Sequence, residues 1–197
     1  MATEKSRTEY VRESKFEIST AAIHGDVDTT SVATVTNILS GVSISTIKLT
    51  VNGRPYHLQV QPNWPLRDVL REKLGLTSIK DFCNGYGACG SCTIIMNGRP
   101  VLSCMLLAIE CDGAIIETAE GIADAKHPLI EAYIMNWTAQ CGYCTPGFLV
   151  TAKALLDHNS DPTVDEIKEA LSGPLGRVSL ISERIRLLTT GFRYFKG

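Results

Sequence analysis

Apolar residues alternate with polar ones at Ile47, Leu49 and Val51, and again at Tyr56, Leu58 and Val60, with Asn52-Gly53 between the two runs. A period of two on both sides of an Asn-Gly pair predicts a β-hairpin, because the tight turn that suits twisted strands needs positive φ at both central residues. Pro65 then opens a short helix with Leu66, Val69, Leu70 and Leu74 on one face, and Gly75 stops it. A glycine- and cysteine-rich loop follows from Cys83 to Cys92. Beyond it, Thr93 to Met96 and Pro100 to Leu102 flank Asn97-Gly98 as a second hairpin, and Ile115, Ile116 and Thr118 form a last strand. Mostly antiparallel strands around one helix predict a small α+β unit.

After His127 the period becomes helical. Leu129, Ile130, Tyr133, Ile134 and Trp137 fit one face of a first helix. Thr145 is placed to cap a second, which Pro146 begins and which turns Phe148, Leu149, Ala152, Leu155 and Leu156 inward. Thr163 and Glu166 have capping-box spacing before Ile167, Ala170 and Leu171, and Gly173 ends that helix. Residues 1–45 show a balanced run of charges to Glu17 and then a Ser/Thr/Val/Ile stretch without helical period. They predict an extension of low order, or one borrowed strand. The expected organisation is therefore an extension over 1–45, an α+β unit over 46–122, a helical unit over 123–190 and a tail over 191–197.

Composition narrows the function classes. The chain has 197 residues, 44% apolar and 20% charged, with a net charge of −2, which is ordinary for a globular protein and offers no footprint for nucleic acid. The charge is unevenly spread: Arg177, Arg184, Arg186, Arg193 and Lys196 face one acid, Glu183, in residues 174–197. The longest apolar run, Cys104 to Ile109, is far below the roughly 20 residues of a membrane span. Nothing in Met1 to Arg7 reads as the start of an apolar export signal, so the expected compartment is the cytoplasm.

Cysteine changes the picture most. The count is seven, all between Cys83 and Cys144, and an odd number of clustered thiols points to metal ligands or redox groups rather than to disulfide staples. Cys83-x5-Cys89-x2-Cys92-x11-Cys104 puts three thiols on one glycine-rich loop and a fourth across a hairpin. That arrangement suits a [2Fe–2S] cluster: thiolates bind the irons, and Gly85, Gly87 and Gly90 let the backbone take positive φ and turn its amides inward. A Cys₄ zinc site is the alternative, although zinc sites more often use two CxxC pairs and this loop has one. Gly85-x-Gly87-x-x-Gly90 also matches a dinucleotide-binding fingerprint, with Glu110 beyond it, but a strand and a turn follow where that motif needs a helix. Nucleotide binding is rejected there.

Cys141-Gly-Tyr-Cys144 stands just before a helix start. It reads either as a redox dithiol or as half of a second [2Fe–2S] site, and the flanking helices are not the βαβ setting of a thioredoxin. Cys111, alone in an apolar segment, reads as a buried structural thiol. His24, His57, His127 and His158 are scattered, and the acids form no paired constellation, so no acid–base or nucleophilic machinery is visible. This favours an electron carrier over a catalyst.

Val51-Asn52-Gly53, the Cys83–Cys104 loop, Glu117-Thr118-Ala119-Glu120-Gly121, Gln140 to Gly147 (Gln-Cys-Gly-Tyr-Cys-Thr-Pro-Gly), and Asp161-Pro162-Thr163 through Ala170-Leu171-Ser172-Gly173 together resemble the small iron–sulfur subunit of the molybdenum hydroxylases, the xanthine dehydrogenase/aldehyde oxidoreductase family. The resemblance covers residues 46 to 173. It implies a β-grasp ferredoxin-like domain with one [2Fe–2S] cluster at Cys83, Cys89, Cys92 and Cys104, then a four-helix-bundle type domain in which Cys141 and Cys144 contribute to a second. It also implies partners: a large subunit carrying molybdopterin, with Gln140 at that interface, and an FAD-binding medium subunit, between which such chains pass electrons. A stand-alone single-cluster carrier or assembly partner is the alternative.

The chain departs from the pattern in two places. Five residues rather than the usual four separate Cys83 from Cys89. After Gly173, where the family continues Asn-Leu-Cys-Arg-Cys, this chain reads Pro174-Leu175-Gly176-Arg177-Val178, so Gly176 and Val178 replace the remaining two ligands. A shifted reading frame and a genuine loss of the second cluster would both produce so abrupt a break.

Overall fold

Two Asn-Gly pairs set the sheet. Asn52 and Gly53 have φ of 50° and 76°, and Asn97 and Gly98 have 51° and 79°, so each pair makes the expected tight turn. In the computed structural model, which describes residues 43–135 and 138–176, the first turn joins β1 (Ser45–Val51) to β2 (Arg54–Val60), with Ile47 opposite Leu58. The second joins β3 (Thr93–Met96) to β4 (Arg99–Leu102), and β5 (Ile115–Glu117) runs parallel to β1 and antiparallel to β3. The order β2-β1-β5-β3-β4 makes a mixed five-stranded sheet. The N-terminal extension, Trp137, Val178 and the basic tail lie outside the described residues.

One face of this sheet is covered by the segment after Pro65. A short α1 (Leu66–Asp68) widens into a π-helical turn over Val69–Lys73 where one continuous α-helix was expected. Leu66, Val69 and Leu70 are fully buried against Ile47, Leu49, Val51, Ile94 and Ile116, while Leu74 packs at the margin. Cys111 is buried in the same core, as a structural thiol would be, with its Sγ 3.4 Å from the Leu107 carbonyl.

The opposite face meets the helices: α2 (Ala119–Asp124), α3 (Pro128–Met135), α4 (Thr145–His158) and α5 (Val164–Ala170). Alternation along β3 divides its neighbours, so that Ile94 belongs to the first core and Ile95 packs with Ile122, Leu129, Phe148, Leu149 and Ile167 in the second. Thr163 and Glu166 form the predicted capping box. Three further details differ from the sequence reading. Helix α2 was not foreseen. Ile134 is largely exposed, because the short α3 buries its Leu129, Ala132 and Tyr133 face instead. Thr145 does not cap α4: Cys144 occupies the cap position and Thr145 already lies in the first turn, ahead of Pro146.

The halves are stitched by polar ties. Asn52, at the first hairpin turn, accepts from the Thr118 amide and donates to the Thr118 hydroxyl, both at 2.9 Å. Glu120 accepts from the Ser78 amide at 2.8 Å, from the Ser78 hydroxyl, and from the Thr118 hydroxyl at 2.7 Å. A Cβ on Gly121 would stand 2.3 Å from Asn52 Oδ1, so only glycine lets α2 approach the turn this closely. No helix among the described residues is long and apolar enough to cross a membrane.

Candidate metal centre

The loop between the buried Ile79 and β3 must turn several times without a side-chain core of its own. Asn84, Gly85, Gly87 and Gly90 take positive φ at 53°, 85°, 69° and 66°, and the successive turns point backbone amides toward the cysteine sulfurs. The Ser91 amide lies 3.5 Å from Cys89 Sγ, the amides of Tyr86, Ala88 and Cys89 serve Cys83, and that of Gly87 serves Cys104. A Cβ on Gly87 would meet Met105 Sδ at 2.7 Å, so the loop lies directly on the segment that carries Cys104.

The four sulfurs come together as two pairs. Cys83 is hydrogen-bonded to Cys89 through the side chains, Cys92 is hydrogen-bonded to Cys104, and Cys83 and Cys104 feel each other's charge across the gap. Among the described residues no three His, Cys, Asp or Glu groups converge on one point as a single ion requires. Four thiols on one loop and the segment beside it, hydrogen-bonded in two pairs, would suit a [2Fe–2S] cluster, which needs four thiolates.

The electrostatics differ within the set. Burial pushes the Cys83 thiol up, but the Cys89 side chain and three backbone amides outweigh it and bring it down to about 7. Cys104 is pushed up to about 12, first by burial and then by Cys92, with only the Gly87 amide opposing. One buried cation stands by: Arg67 donates from Nε to Asp68 at 2.7 Å and from Nη1 to Asp81 at 2.6 Å, and lies 3.7 Å from where a Cβ on Gly85 would be. Asp68 above all keeps this guanidinium charged against the effect of burial, with added pull from Asp81 and Cys104. Sequence reasoning missed Arg67; its place two residues after Pro65 on a short helix gave no sign that it would face the loop.

The second cysteine pair is differently placed. Cys141 is exposed and Cys144 half-buried at the start of α4, where Gly142 has φ of 77° and the Thr145 amide donates to Gly142. Gln140, exposed, precedes them. Tyr143 donates to the Asp81 carbonyl at 3.0 Å and its ring meets Phe82 edge-on at 6.0 Å, which binds this turn to the first loop. Gly147 completes the join, since a Cβ there would stand 2.7 Å from the Gly90 carbonyl oxygen. Cys141, Tyr143, Cys144 and Gly176 line one cavity of about 340 Å³ with Phe82 and Leu175. The first loop thus brings its four predicted ligands together, whereas the second site holds two thiols.

Comparison with known proteins gives this arrangement its relatives. Residues 49–115 match a 2Fe-2S iron-sulfur cluster binding domain, and residues 118–183 match a [2Fe-2S] binding domain. The chain is 48% identical over 134 residues to the nicotinate dehydrogenase small FeS subunit of Eubacterium barkeri, covering 67% of this chain and 85% of that one. It belongs to the small iron–sulfur subunits of the molybdenum hydroxylases. An aldehyde oxidoreductase of Megalodesulfovibrio gigas is 43% identical over 124 residues, 61% of this chain but 14% of that longer protein. The crystal structure of quinoline 2-oxidoreductase from Pseudomonas putida 86 contains a chain that superposes with a TM-score of 0.69 at 37% identity, covering 77% of this chain and 97% of that one. As a member of this family, the chain is an iron–sulfur electron-transfer subunit of a heteromeric oxidoreductase, with a β-grasp ferredoxin-like part followed by a helical part.

Proposed function

We propose that Cys83, Cys89, Cys92 and Cys104 hold a [2Fe–2S] cluster through which this subunit relays single electrons from a molybdopterin-bearing large subunit towards an FAD-binding subunit or an external acceptor. The observation that carries the reading is the pairing of four thiols two and two beneath inward-pointing amides. A bound [2Fe–2S] cluster supplies a one-electron couple and needs no acid–base help from the protein. The chain's own part is to fix four thiolates, and to donate amide hydrogen bonds to sulfurs that gain negative charge on reduction. Gly85, Gly87 and Gly90 permit that wrap, and Arg67 offsets the accumulated charge.

Docking to larger partners is supported by what surrounds the two cysteine sites. Phe82, Tyr86, Met105 and Leu175 are each more than half exposed, an apolar rim of the kind that interfaces cover. Gln140, exposed beside Cys141, is proposed to meet the molybdopterin side. Clustered thiols of this kind stay reduced in a reducing compartment, and we place the subunit in the cytoplasm.

Iron and acid-labile sulfide in the full chain, produced anaerobically with and without Cys89→Ser, test the reading. The unaltered chain should carry iron and sulfide in equal amounts and give a reduced-state EPR signal, and the variant should lose both. A chain that takes zinc and no iron would sink it. Co-purification with a molybdoprotein separates a subunit from a stand-alone carrier, since a carrier would elute alone.

A further inference from the structure

The second [2Fe-2S] match, over residues 118–183, contains just two cysteines, Cys141 and Cys144. A cluster of this type needs four protein ligands. Neither histidine of that span, His127 or His158, lines the cavity that holds Cys141 and Cys144. Cys111 is buried in the first core.

Around the two thiols, however, the site is built. The cavity that Cys141 and Cys144 share is also lined by Leu175 and Gly176. The backbone leading to Gly176 is fixed by contacts that precede it. The Leu175 amide donates to the Cys89 carbonyl at 2.7 Å, and Pro174 is buried so near Gly90 that a Cβ there would stand 2.6 Å from Pro174 Cα. Residue 176 is therefore held in the cavity lining by its anchored neighbours, and as glycine it has no side-chain donor.

We infer that this chain holds one [2Fe–2S] cluster rather than two, and that Gly176 occupies the place of a missing thiolate in a half-built second site formed by Cys141 and Cys144. This rests on the proposed reading of the first loop. Cys141 and Cys144 contribute nothing to iron binding in the chain as it stands. With cysteines at Gly176 and at Val178, two residues on in the sequence, residues 118–183 would carry four thiols.

The test uses the full chain, reconstituted anaerobically with ferrous iron and sulfide and read by metal analysis and low-temperature EPR. The unaltered chain should bind about two irons and give one signal. Cys141→Ser with Cys144→Ser should leave both readings unchanged. Gly176→Cys with Val178→Cys should raise iron towards about four per chain and add a second signal, and that gain should vanish when Cys141→Ser is added. Four irons and two signals in the unaltered chain would overturn the inference, as would loss of iron on changing Cys141. Failure of the double-cysteine variant to gain iron, with the first signal intact as proof of folding, would overturn the role given to Gly176. Absence of iron in the unaltered chain is the separate outcome that defeats the reading of the first loop and the one-cluster inference with it.

Discussion

Gly147, in the first turn of α4, lies against Gly90 in the cysteine loop so closely that a Cβ would come 2.7 Å from the Gly90 carbonyl oxygen. The contact joins two segments 57 positions apart in the chain, and it sets helix propensity against packing. Alanine is favoured over glycine inside a helix by about 1 kcal/mol. Here the new methyl has backbone on its far side, which cannot step aside as a flexible side chain would. Gly147→Ala should therefore destabilise the chain by about 1–3 kcal/mol, the usual cost of overpacking, and loosen the loop that presents Cys89. Chemical denaturation, with iron content as a second reading, distinguishes this from the stabilisation that propensity alone predicts.

Arg67 is the one cation described as buried beside the cysteine loop, with its side chain 10% exposed and Asp68 and Asp81 as partners. Reduction of the cluster proposed for this loop would add negative charge nearby, so the guanidinium would favour the reduced state. Arg67→Met should lower the reduction potential of the iron–sulfur centre and, by losing its bonds to the half-exposed Asp68 and Asp81, cost a modest part of the stability. Arg67→Lys keeps the charge but loses the two-sided fork, so the potential should move less while some of the stability is lost. A potentiometric titration followed by EPR measures the first effect and thermal melting the second.

His127 links helix α3 to pH. Burial above all, and then the charge of Lys153, lower its pKa, while Asp157 and Glu117 pull the other way. The neutral ring is the form that accepts from the Leu129 amide through Nδ1. A histidine whose folded pKa lies below its unfolded value near 6.5 stabilises the fold above that value, and the contribution is lost as pH falls from about 6.5 through the lower folded pKa. Denaturation midpoints should therefore fall over that window, and His127→Ser, which keeps an acceptor without a titrating ring, should flatten the fall.

Glu120 acts lower on the scale. Burial raises its pKa, but hydrogen bonds from Ser78 and Thr118 outweigh that and leave the carboxyl below its ordinary value. Its stabilisation is present above the unfolded pKa of about 4.3 and disappears as pH falls through the folded one. Glu120→Gln should lose about 1–3 kcal/mol near neutrality, where charged hydrogen bonds are at stake, and converge with the unaltered chain in acid. Midpoints at pH 7 and at pH 3 check both halves of the statement.

Much of this was legible in the chain because the signals were local. Asn52-Gly53 and Asn97-Gly98 announce two turns by backbone preference alone, and both are there with positive φ. The capping box of Thr163 and Glu166 is likewise written within four residues. Cysteine spacing placed Cys83, Cys89 and Cys92 on one glycine-rich loop, and that loop is there with positive φ at Gly85, Gly87 and Gly90. What escaped depended on distance. Helix α2 is only six residues long and is held by Asn52, 66 positions before Thr118, so no local period marks it. Arg67 reads as an ordinary surface cation until the loop bearing Asp81 folds over it. The cap of α4 stands at Cys144, one residue before Thr145, in the turn that Tyr143 ties to the Asp81 carbonyl.

Adjacent residues of β3 look in opposite directions, Ile94 into the core beneath α1 and Ile95, 4% exposed, into the core built by the helices. The division between the two domain matches, at residues 115 and 118, is thus a division of the sequence and not of the folded chain. A polypeptide released after β5 would have every described strand and would still leave Ile95 without Ile122, Phe148 and Leu149 to cover it. Such a fragment is the kind of product that chaperones retain and proteases clear. Synthesis of the helices is therefore what covers the second side of β3.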